Sequence, residues 1–357
     1  MSKKKIEFSG GIAAASMLFF GTISSVTSKV QMLFTAPGYH GIVHYFEKPG
    51  FQVFTMFFSM SFAIFICPYW GPKGPINLRD YSFRKYLLPI FTSILGTIAT
   101  FVMTAGLTRI SVSIYMMLRG GLSIFSSIFS IIFLKRHILT HQWIGIGLNF
   151  ISLIIVGISG TLSTSDSRHS WIDRLIGVLM VIGSIILQGA QLVWDEYMLQ
   201  DLNIPIMLVV AMEGIWGVLI SLFCVIPLCF IIPGNDPSQM GGSLENIFDS
   251  FIMLGNSWQI SLILLASCIA ILGYDSSGMT VTSTMSSVHR TIFEALRTLT
   301  TWIFMLFITA CGSPYGEHWN KWSWLQLAGF CLLVVSSLIF NGVIHVGKKK
   351  ENEQLLN

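Results

Sequence analysis

The chain has 357 residues, of which 53% are hydrophobic and 11% are charged, with a mean hydropathy of +0.71 and a net charge of +4. A soluble domain has about 25% charged residues, so this composition excludes an ordinary soluble protein. The basic residues lie at the ends of apolar segments rather than on one face, so the charge does not indicate a nucleic-acid partner.

The N-terminal segment carries Lys3, Lys4 and Lys5 ahead of an apolar run, as a signal peptide does. Nine further apolar segments follow it, which favours a retained first span over a cleaved signal. We predict ten spans, each close to the ~20 residues that cross ~30 Å of hydrocarbon: residues 9–29, 51–70, 86–106, 110–134, 143–160, 175–199, 206–232, 257–279, 283–311 and 323–345.

The connections and the distribution of charge predict the topology. Very short connections at Thr108-Arg109 and near Thr280 predict two tight antiparallel hairpins, between spans 3 and 4 and between spans 8 and 9. With the N-terminus inside, twelve Lys and Arg residues lie on the inner side and six on the outer side. Basic residues favour the cytosolic side, so both termini are predicted to be cytosolic.

The two halves of the chain resemble each other. Leu118-Arg119 in span 4 precedes the segment 142–145 that opens span 5, and Leu296-Arg297 in span 9 precedes the similar segment 326–329 in span 10. Five spans per half is an odd number, so the repeats must be inverted across the membrane, as in secondary transporters. We therefore predict an all-α membrane protein with one five-helix repeat at 1–160, a second at 171–347 and a cytosolic tail at 348–357.

Polar residues recur at helical spacing in spans 1, 3, 4, 6 and 9. Because polar groups in a span are costly unless they face protein or water, stripes on five helices indicate a polar cavity. The alternative for each Ser or Thr is a bond across a helix contact or to its own backbone. We predict twelve substrate-binding residues: Lys29, Thr97, Thr100, Tyr115, Arg119, Gln188, Gln191, Asp195, Tyr274, Arg290, Glu294 and Arg297.

The balance of charge leaves two interpretations of the substrate open. The charges within the stripes are mainly basic, which favours a substrate with an anionic group. Three further acids, Glu196, Glu213 and Asp275, lie at or near span ends at a depth that the sequence does not settle. If they also line the cavity, its balance of charge turns slightly negative.

Span 9 carries the strongest stripe. Arg290, Glu294 and Arg297 lie at i, i+4 and i+7 and share one face, and one Glu cannot neutralise two Arg residues. In a structural network, an acid from another helix, such as Asp195 or Asp275, would complete the set. In a binding site, the surplus charge would meet an anionic group of the substrate, for which the Arg fork is suited. We favour the binding interpretation.

Several segments along the chain carry a family resemblance. The stretch 117–145 is similar to the helix 4/5 unit of the drug/metabolite transporter superfamily. More closely, the chain resembles subfamily F of solute carrier family 35 in segments that keep the same order: Gly21-Thr22-Ile23, Ser28-Lys29, Gln188-Gly189-Ala190-Gln191 with Glu196, Glu213-Gly214-Ile215, Leu296-Arg297-Thr298 and Asn341-Gly342. The resemblance implies two inverted five-helix halves and a cavity lined by helices 1–4 and 6–9, with helices 5 and 10 peripheral.

The function predicted from these patterns is alternating-access transport of a small polar metabolite, by exchange or by coupling to a gradient, with an anionic substrate left open. Relatives in the superfamily carry nucleotide sugars, other metabolites or drugs. No Walker-type loop is visible, which disfavours ATP-driven transport. A membrane-embedded enzyme is the first alternative, but no nucleophile-and-base set is visible, so no catalytic residue is predicted. The second alternative is an adaptor without transport activity.

No cofactor and no metal are predicted. The six cysteines lack a metal-type spacing, and the His pairs 40/44 and 137/141 are better explained as loop residues. The partners predicted are a small-molecule substrate and the lipid bilayer, with no nucleic acid; a homodimer is left open. Glu351, Leu355 and Leu356 resemble an acidic dileucine signal that cytosolic sorting adaptors bind, which predicts an endosomal, lysosomal or other endomembrane location.

Overall fold

The computed structural model describes residues 3–67, 81–134, 139–162, 170–232, 236, 242–285, 287–312, 319 and 321–340. This part of the chain is almost entirely helical, with one short β-hairpin. Within the described residues, eight helical segments are long and apolar enough to cross a membrane. The predicted class, a multi-pass helical membrane protein, is therefore confirmed.

The helices follow the predicted spans closely. The first half contains α1 (Lys3–Leu33), α2 (Pro49–Ser61), α3 (Ala63–Ile66), α4 (Phe83–Leu87), α5 (Pro89–Leu107), α6 (Val112–Arg119), α7 (Leu122–Leu134) and α8 (Thr140–Leu162). The second half contains α9 (Trp171–Glu196), α10 (Ile206–Ile220), α11 (Ile226–Ile231), α12 (Ile247–Asn256), α13 (Trp258–Thr284), α14 (Ser287–Ala310) and α15 (Ser323–Phe340). Single π-helical turns follow α9 at Tyr197–Asp201 and α10 at Ser221–Val225.

Two of the ten predicted spans fall short of the other eight in apolar length. The fourth is interrupted at Gly120-Gly121 between α6 and α7, and the ninth, α14, carries three charged residues. A Cβ atom on Gly120 would lie 2.2 Å from Leu333 Cδ1 of α15, so glycine permits this close approach. The ten-span arrangement therefore stays a prediction, with helices present at all ten places.

One of the predicted hairpins lies elsewhere. The turn between α5 and α6 follows Leu107, as expected, but α13 continues to Thr284 rather than ending near Thr280. The Thr280 hydroxyl donates to Ser276 O at 2.7 Å, and the Thr284 hydroxyl donates to Thr280 O at 2.7 Å. Because these side chains bond to carbonyls of the preceding turn, the Ser/Thr-rich segment stays helical, and the prediction of a turn there was wrong.

The loop between α1 and α2 contains structure that the sequence analysis missed. Strands β1 (Thr35–Pro37) and β2 (Val43–Tyr45) pair antiparallel, with Ala36 opposite His44. The turn between them places His40 and Gly41 in the left-handed region, at φ 57° and 74°. Strands of three residues are too short to show an alternating pattern.

The long helices pack in pairs. α1 packs along α13, α5 along α9, α2 along α10, and α8 along α15. A Cβ atom on Gly214 of α10 would lie 2.2 Å from Ser61 N of α2, so a small residue permits close contact there. On α13, large apolar side chains are exposed at Trp258, Leu262, Leu265 and Ile269, a helical spacing that forms a face suited to lipid.

Candidate substrate cavity

The helices enclose a cavity of about 170 Å³. Its lining comes from α1, α2, α5, α6, α7, α9, α10, α13 and α14, which occupy eight of the ten predicted spans. Among the described residues, α8 and α15 contribute no side chain to it. These two helices are the fifth and tenth spans, which the family resemblance implied to be peripheral.

Ten of the twelve predicted site residues line this cavity: Thr100, Tyr115, Arg119, Gln188, Gln191, Asp195, Tyr274, Arg290, Glu294 and Arg297. Lys29 and Thr97 do not. The Lys29 ammonium donates to Leu107 O at 2.9 Å and to Ile110 O at 3.1 Å, at the C-terminal end of α5 where helix carbonyls lack partners. Thr97 donates to Ser93 O at 2.6 Å. Both predictions are thus corrected, because each side chain bonds to backbone carbonyls instead.

Arg119 ends α6 at the helix interruption. Its Nη1 donates to the Tyr115 hydroxyl at 3.0 Å and lies 3.7 Å from Met103 Sδ. Its Nε is buried without a hydrogen-bond partner, and within the described residues the guanidinium forms no ion pair. Gln188 of α9 contacts the same sulfur, with Nε2 at 3.2 Å. The side chain is thus a cation at the cavity wall with donors to spare.

The Arg297 guanidinium, by contrast, bonds to other side chains of the protein. Its Nη2 and Nε donate to Glu294 Oε2 at 2.6 and 3.1 Å, and its Nη1 donates to Ser25 Oγ at 3.0 Å. The Tyr274 ring centroid lies 4.8 Å from its Cζ, and the Tyr274 hydroxyl donates to Glu294. A Cβ atom on Gly21 would lie 2.3 Å from the Arg297 side chain. The structural network left open above accounts for these contacts.

The structure shows which of the three acids with an unsettled depth line the cavity. Glu213 and Asp275 line the cavity beside Asp195, whereas Glu196 is buried outside the lining. Asp195 and Glu213 are 2% and 1% exposed, and each keeps one buried carboxylate oxygen, Oδ1 and Oε1, without a hydrogen-bond partner. Four acids therefore face three arginines, which matches the slightly negative of the two balances considered.

The sequence analysis missed the polar residues of the second span. Gln52 and Thr55 of α2 line the cavity at a spacing of three residues, and Gln31 lines it near the end of α1. The Gln31 Nε2 atom is buried without a partner. The available signal was the i, i+3 spacing of Gln52 and Thr55, and that of Ser28 and Gln31.

A second group of buried charges lies outside the membrane-spanning segments, where the loops after α1 and α11 meet. We name His44, Lys48, Asp236, Glu245 and Asp249 the loop cluster. Lys48 Nζ lies 2.6 Å from Asp236 Oδ2 and 2.9 Å from Asp249 Oδ2, and His44 Nε2 lies 2.8 Å from Asp249 Oδ2. Glu245 accepts from two N–H groups of α2, those of residues 50 and 51, at 2.6 and 2.8 Å.

The carboxyl groups of the loop cluster have shifted pKa values. Burial raises the pKa of Glu245 to about 7, against the opposing effect of the two α2 N–H groups and Lys48. Burial also acts to raise the pKa of Asp249, but hydrogen bonds from the Tyr39 N–H and from Lys48 outweigh it, so the pKa lies below its usual value. These two acids therefore respond to different ranges of pH.

Other predicted features have the following positions. The described residues contain no group of three or more His, Cys, Asp and Glu side chains placed to hold a metal ion. His137 and the proposed sorting residues Glu351, Leu355 and Leu356 lie outside the described residues, as does the tail 348–357.

Comparison with known proteins defines the class. Residues 11–158 match the EamA-like transporter family. One crystal structure is 12% identical in sequence and superposes with a TM-score of 0.54, covering 96% of this chain and 98% of the other, which shows a shared fold. The family match and the apolar helices together indicate a multi-pass membrane protein of the transporter class.

The relatives narrow this class. Solute carrier family 35 member F6 of Mus musculus is 30% identical over 338 residues, which cover 92% of this chain and 88% of the relative; the Homo sapiens protein is 29% identical with the same coverage. An uncharacterized protein of Schizosaccharomyces pombe is 28% identical over 77% of this chain and 79% of its own length. The chain belongs to solute carrier family 35, which confirms the predicted resemblance.

Proposed function

We propose that this protein carries a small polar metabolite with an anionic group across a membrane by alternating access, as an exchanger or a gradient-coupled carrier. The observation that carries the proposal is Arg119. Its guanidinium lines the cavity, has a buried Nε without a partner and forms no ion pair within the described residues. A cation within a span is costly unless it is paired, and an anionic group of the substrate supplies the missing partner.

The packing of the helices supports alternating access. If the first five spans are matched in order to the last five, the contact of spans 1 and 8 corresponds to that of spans 6 and 3. Both contacts occur, as α1 with α13 and α5 with α9. The contacts of spans 2 with 7, 4 with 9, and 5 with 10 each correspond to themselves, and all three occur. This pattern is expected of two inverted repeats that rock about a shared site.

The interruption of the fourth span supports the same proposal. Discontinuous helices form the binding sites of many secondary transporters. Here α6 ends at Arg119 and α7 begins at Leu122, so the break lies directly beside the proposed anion-binding residue. A local change at this break would move the guanidinium relative to the rest of the cavity.

The experiment is a screen of anionic metabolites by thermal shift on purified protein, followed by uptake of each stabilising compound into proteoliposomes. A compound that binds the folded state raises its apparent stability. Arg119→Gln should abolish both the shift and the uptake. Arg109→Gln is the matched control, because Arg109 donates to Ala105 O at 2.6 Å and does not line the cavity. Equal uptake by the Arg119 and Arg109 variants would refute the proposal.

Orientation and location complete the proposal. Both termini are cytosolic and the protein resides in endosomes, lysosomes or another endomembrane, on the strength of the Lys/Arg count and the dileucine motif. Tags on each terminus, probed after selective permeabilisation of the plasma membrane, test the orientation. Joint replacement of Leu355 and Leu356 by Ala should move the protein to the cell surface, and an unchanged location would contradict the sorting proposal.

A further inference from the structure

The two ends of the cavity carry opposite charge. Arg119 Nη1 and Gln188 Nε2 both contact Met103 Sδ, which places the guanidinium at the level of Gln188 on α9. Asp195 follows Gln188 by seven residues on the same helix. With a rise of 1.5 Å and a rotation of 100° per residue, Asp195 lies about 10 Å further along α9 on nearly the same face. Arg119 and Asp195 therefore lie at different levels of the cavity, whereas Glu294 and Asp275 are near enough to Arg119 to interact with it electrostatically.

The acidic end presents acceptors that the protein does not fill. Asp195 and Glu213 lie within hydrogen-bonding reach of each other across α9 and α10. Each nevertheless keeps one buried oxygen with no partner among the described residues. Asp275 of α13 lines the same region and Arg290 of α14 interacts with all three acids. Among the described residues, Asp195 and Glu213 therefore each offer one acceptor that no donor fills.

The cavity also contains an ion pair that is already neutral. Glu294 and Arg297 form a 2.6 Å ion pair, and Tyr274 donates to the same carboxylate. This pair accounts for one cation and one anion of the cavity. Among the described residues, three buried atoms that line the cavity then remain without a hydrogen-bond partner: Arg119 Nε, Asp195 Oδ1 and Glu213 Oε1.

We propose that the substrate is zwitterionic: its anionic group binds Arg119, and its amine binds Asp195 and Glu213. This inference rests on the proposed function for the anionic end and adds the cationic end. A protonated amine has three donors, so it can satisfy the unfilled oxygens of both acids at once. The spacing of the two ends selects a substrate whose charges are several bonds apart. A substrate with an anion alone would leave Asp195 Oδ1 and Glu213 Oε1 unfilled.

The test compares three probes of equal chain length on purified protein: 6-aminohexanoate, hexanoate and hexylamine. A ligand at about one hundred times its Kd raises the apparent Tm by about 4 °C. We expect 6-aminohexanoate to raise the Tm of the wild-type protein, and each single-ended probe at the same concentration to raise it by less than a quarter as much. Asp195→Asn and Glu213→Gln, measured separately, should reduce the response to 6-aminohexanoate to that of hexanoate.

The outcomes separate this inference from the proposed function. If hexanoate shifts the Tm as far as 6-aminohexanoate and the shift is lost in Arg119→Gln, the anion site stands and the zwitterion inference fails. If hexylamine alone matches 6-aminohexanoate, both fail. Each probe is also tested at up to 10 times the concentration at which a metabolite from the anion screen raises the Tm. If no probe raises the Tm at that concentration, the zwitterion inference fails. Glu213→Gln provides a second test if Asp195→Asn misfolds, because the two acids lie on different helices.

Discussion

The loop cluster and the cavity both contain buried acidic and basic side chains. They differ in whether the buried carboxylate oxygens have hydrogen-bond partners. In the loop cluster, Asp249 accepts from Lys48, from His44 and from a backbone N–H, and both oxygens of Glu245 are bonded. In the cavity, Asp195 and Glu213 each keep a buried oxygen without a partner. Evolution tolerates unfilled polar groups mainly where function requires them. The difference supports the proposal that a ligand completes the network in the cavity.

The same contrast exists between two arginines that the sequence could not tell apart. Arg297 is held by Glu294, Ser25 and the Tyr274 ring. Arg119 contacts the hydroxyl and ring of Tyr115 and the sulfur of Met103, and it forms no ion pair among the described residues. We therefore expect Arg297 to stabilise the bundle and Arg119 to bind the ligand. Four predictions test whether buried polar groups with hydrogen-bond partners control stability and whether those without partners control binding.

The largest expected effect on stability is from Asp249→Ala. The change removes the acceptor that Lys48, the His44 ring and the Tyr39 N–H share, although Lys48 keeps its 2.6 Å contact with Asp236. Each buried donor left without a partner costs about 1–3 kcal/mol, so loss of the acceptor for the His44 ring and the Tyr39 N–H costs about 2–6 kcal/mol. We expect a large drop in apparent Tm and in the yield of monodisperse protein. Asp201→Ala, at an exposed Asp, should change stability by less than about 0.5 kcal/mol. Similar losses in both variants would contradict the assignment.

The second effect is a pH dependence that arises from Glu245. Its pKa is about 7 in the folded protein against an ordinary value of 4.5, so the folded state binds more protons than the unfolded state between these values. Stability from this group is thus present below about pH 4.5 and decreases as pH rises to about 7, by on the order of 3 kcal/mol. Glu245→Gln should flatten the Tm measured from pH 5 to pH 8. The Asp249 response lies below this window, and an unchanged slope in the variant would refute the assignment.

The third effect is from Arg297→Lys. The charge is retained, but the fork that contacts Glu294 and Ser25 is lost. Hydrogen bonds to charged groups contribute about 1.5–3 kcal/mol, so we expect a loss of about 2 kcal/mol in stability. If Arg297 instead binds substrate directly, this variant will fold as stably as the wild type and lose ligand affinity.

The smallest effect on stability is from Arg119→Gln, for which we expect a change within about 0.5 kcal/mol. The variant loses one bond to Tyr115, but it also removes a poorly paired charge from the cavity. Its ligand-dependent Tm shift should nevertheless disappear. A loss of stability as large as that of Arg297→Lys would show that the two arginines have the same role.

Much of the fold was predictable because the bilayer constrains the sequence strongly. A helix must supply about 20 apolar residues and satisfy its own backbone, so helices appear at all ten predicted places and the family resemblance is confirmed. Residues such as Gln188 and Asp195 were found because a shared helical face is visible in spacing alone. The hairpin around His44 was missed, because pairs of three-residue strands are stabilised by α12 and not by their own pattern.

The sequence by itself determined the class of protein, the helical faces and ten residues that line the cavity, because hydrophobic periodicity is a local property of the chain. Only the tertiary structure decided which polar groups find partners. Lys29 and Arg119 are both basic residues within predicted spans. Lys29 donates to a carbonyl of α5, whereas Arg119 lines the cavity. A buried polar group forms a hydrogen bond only if another helix brings a suitable atom within about 3 Å. The spacing of residues along a single helix does not show which atoms those are.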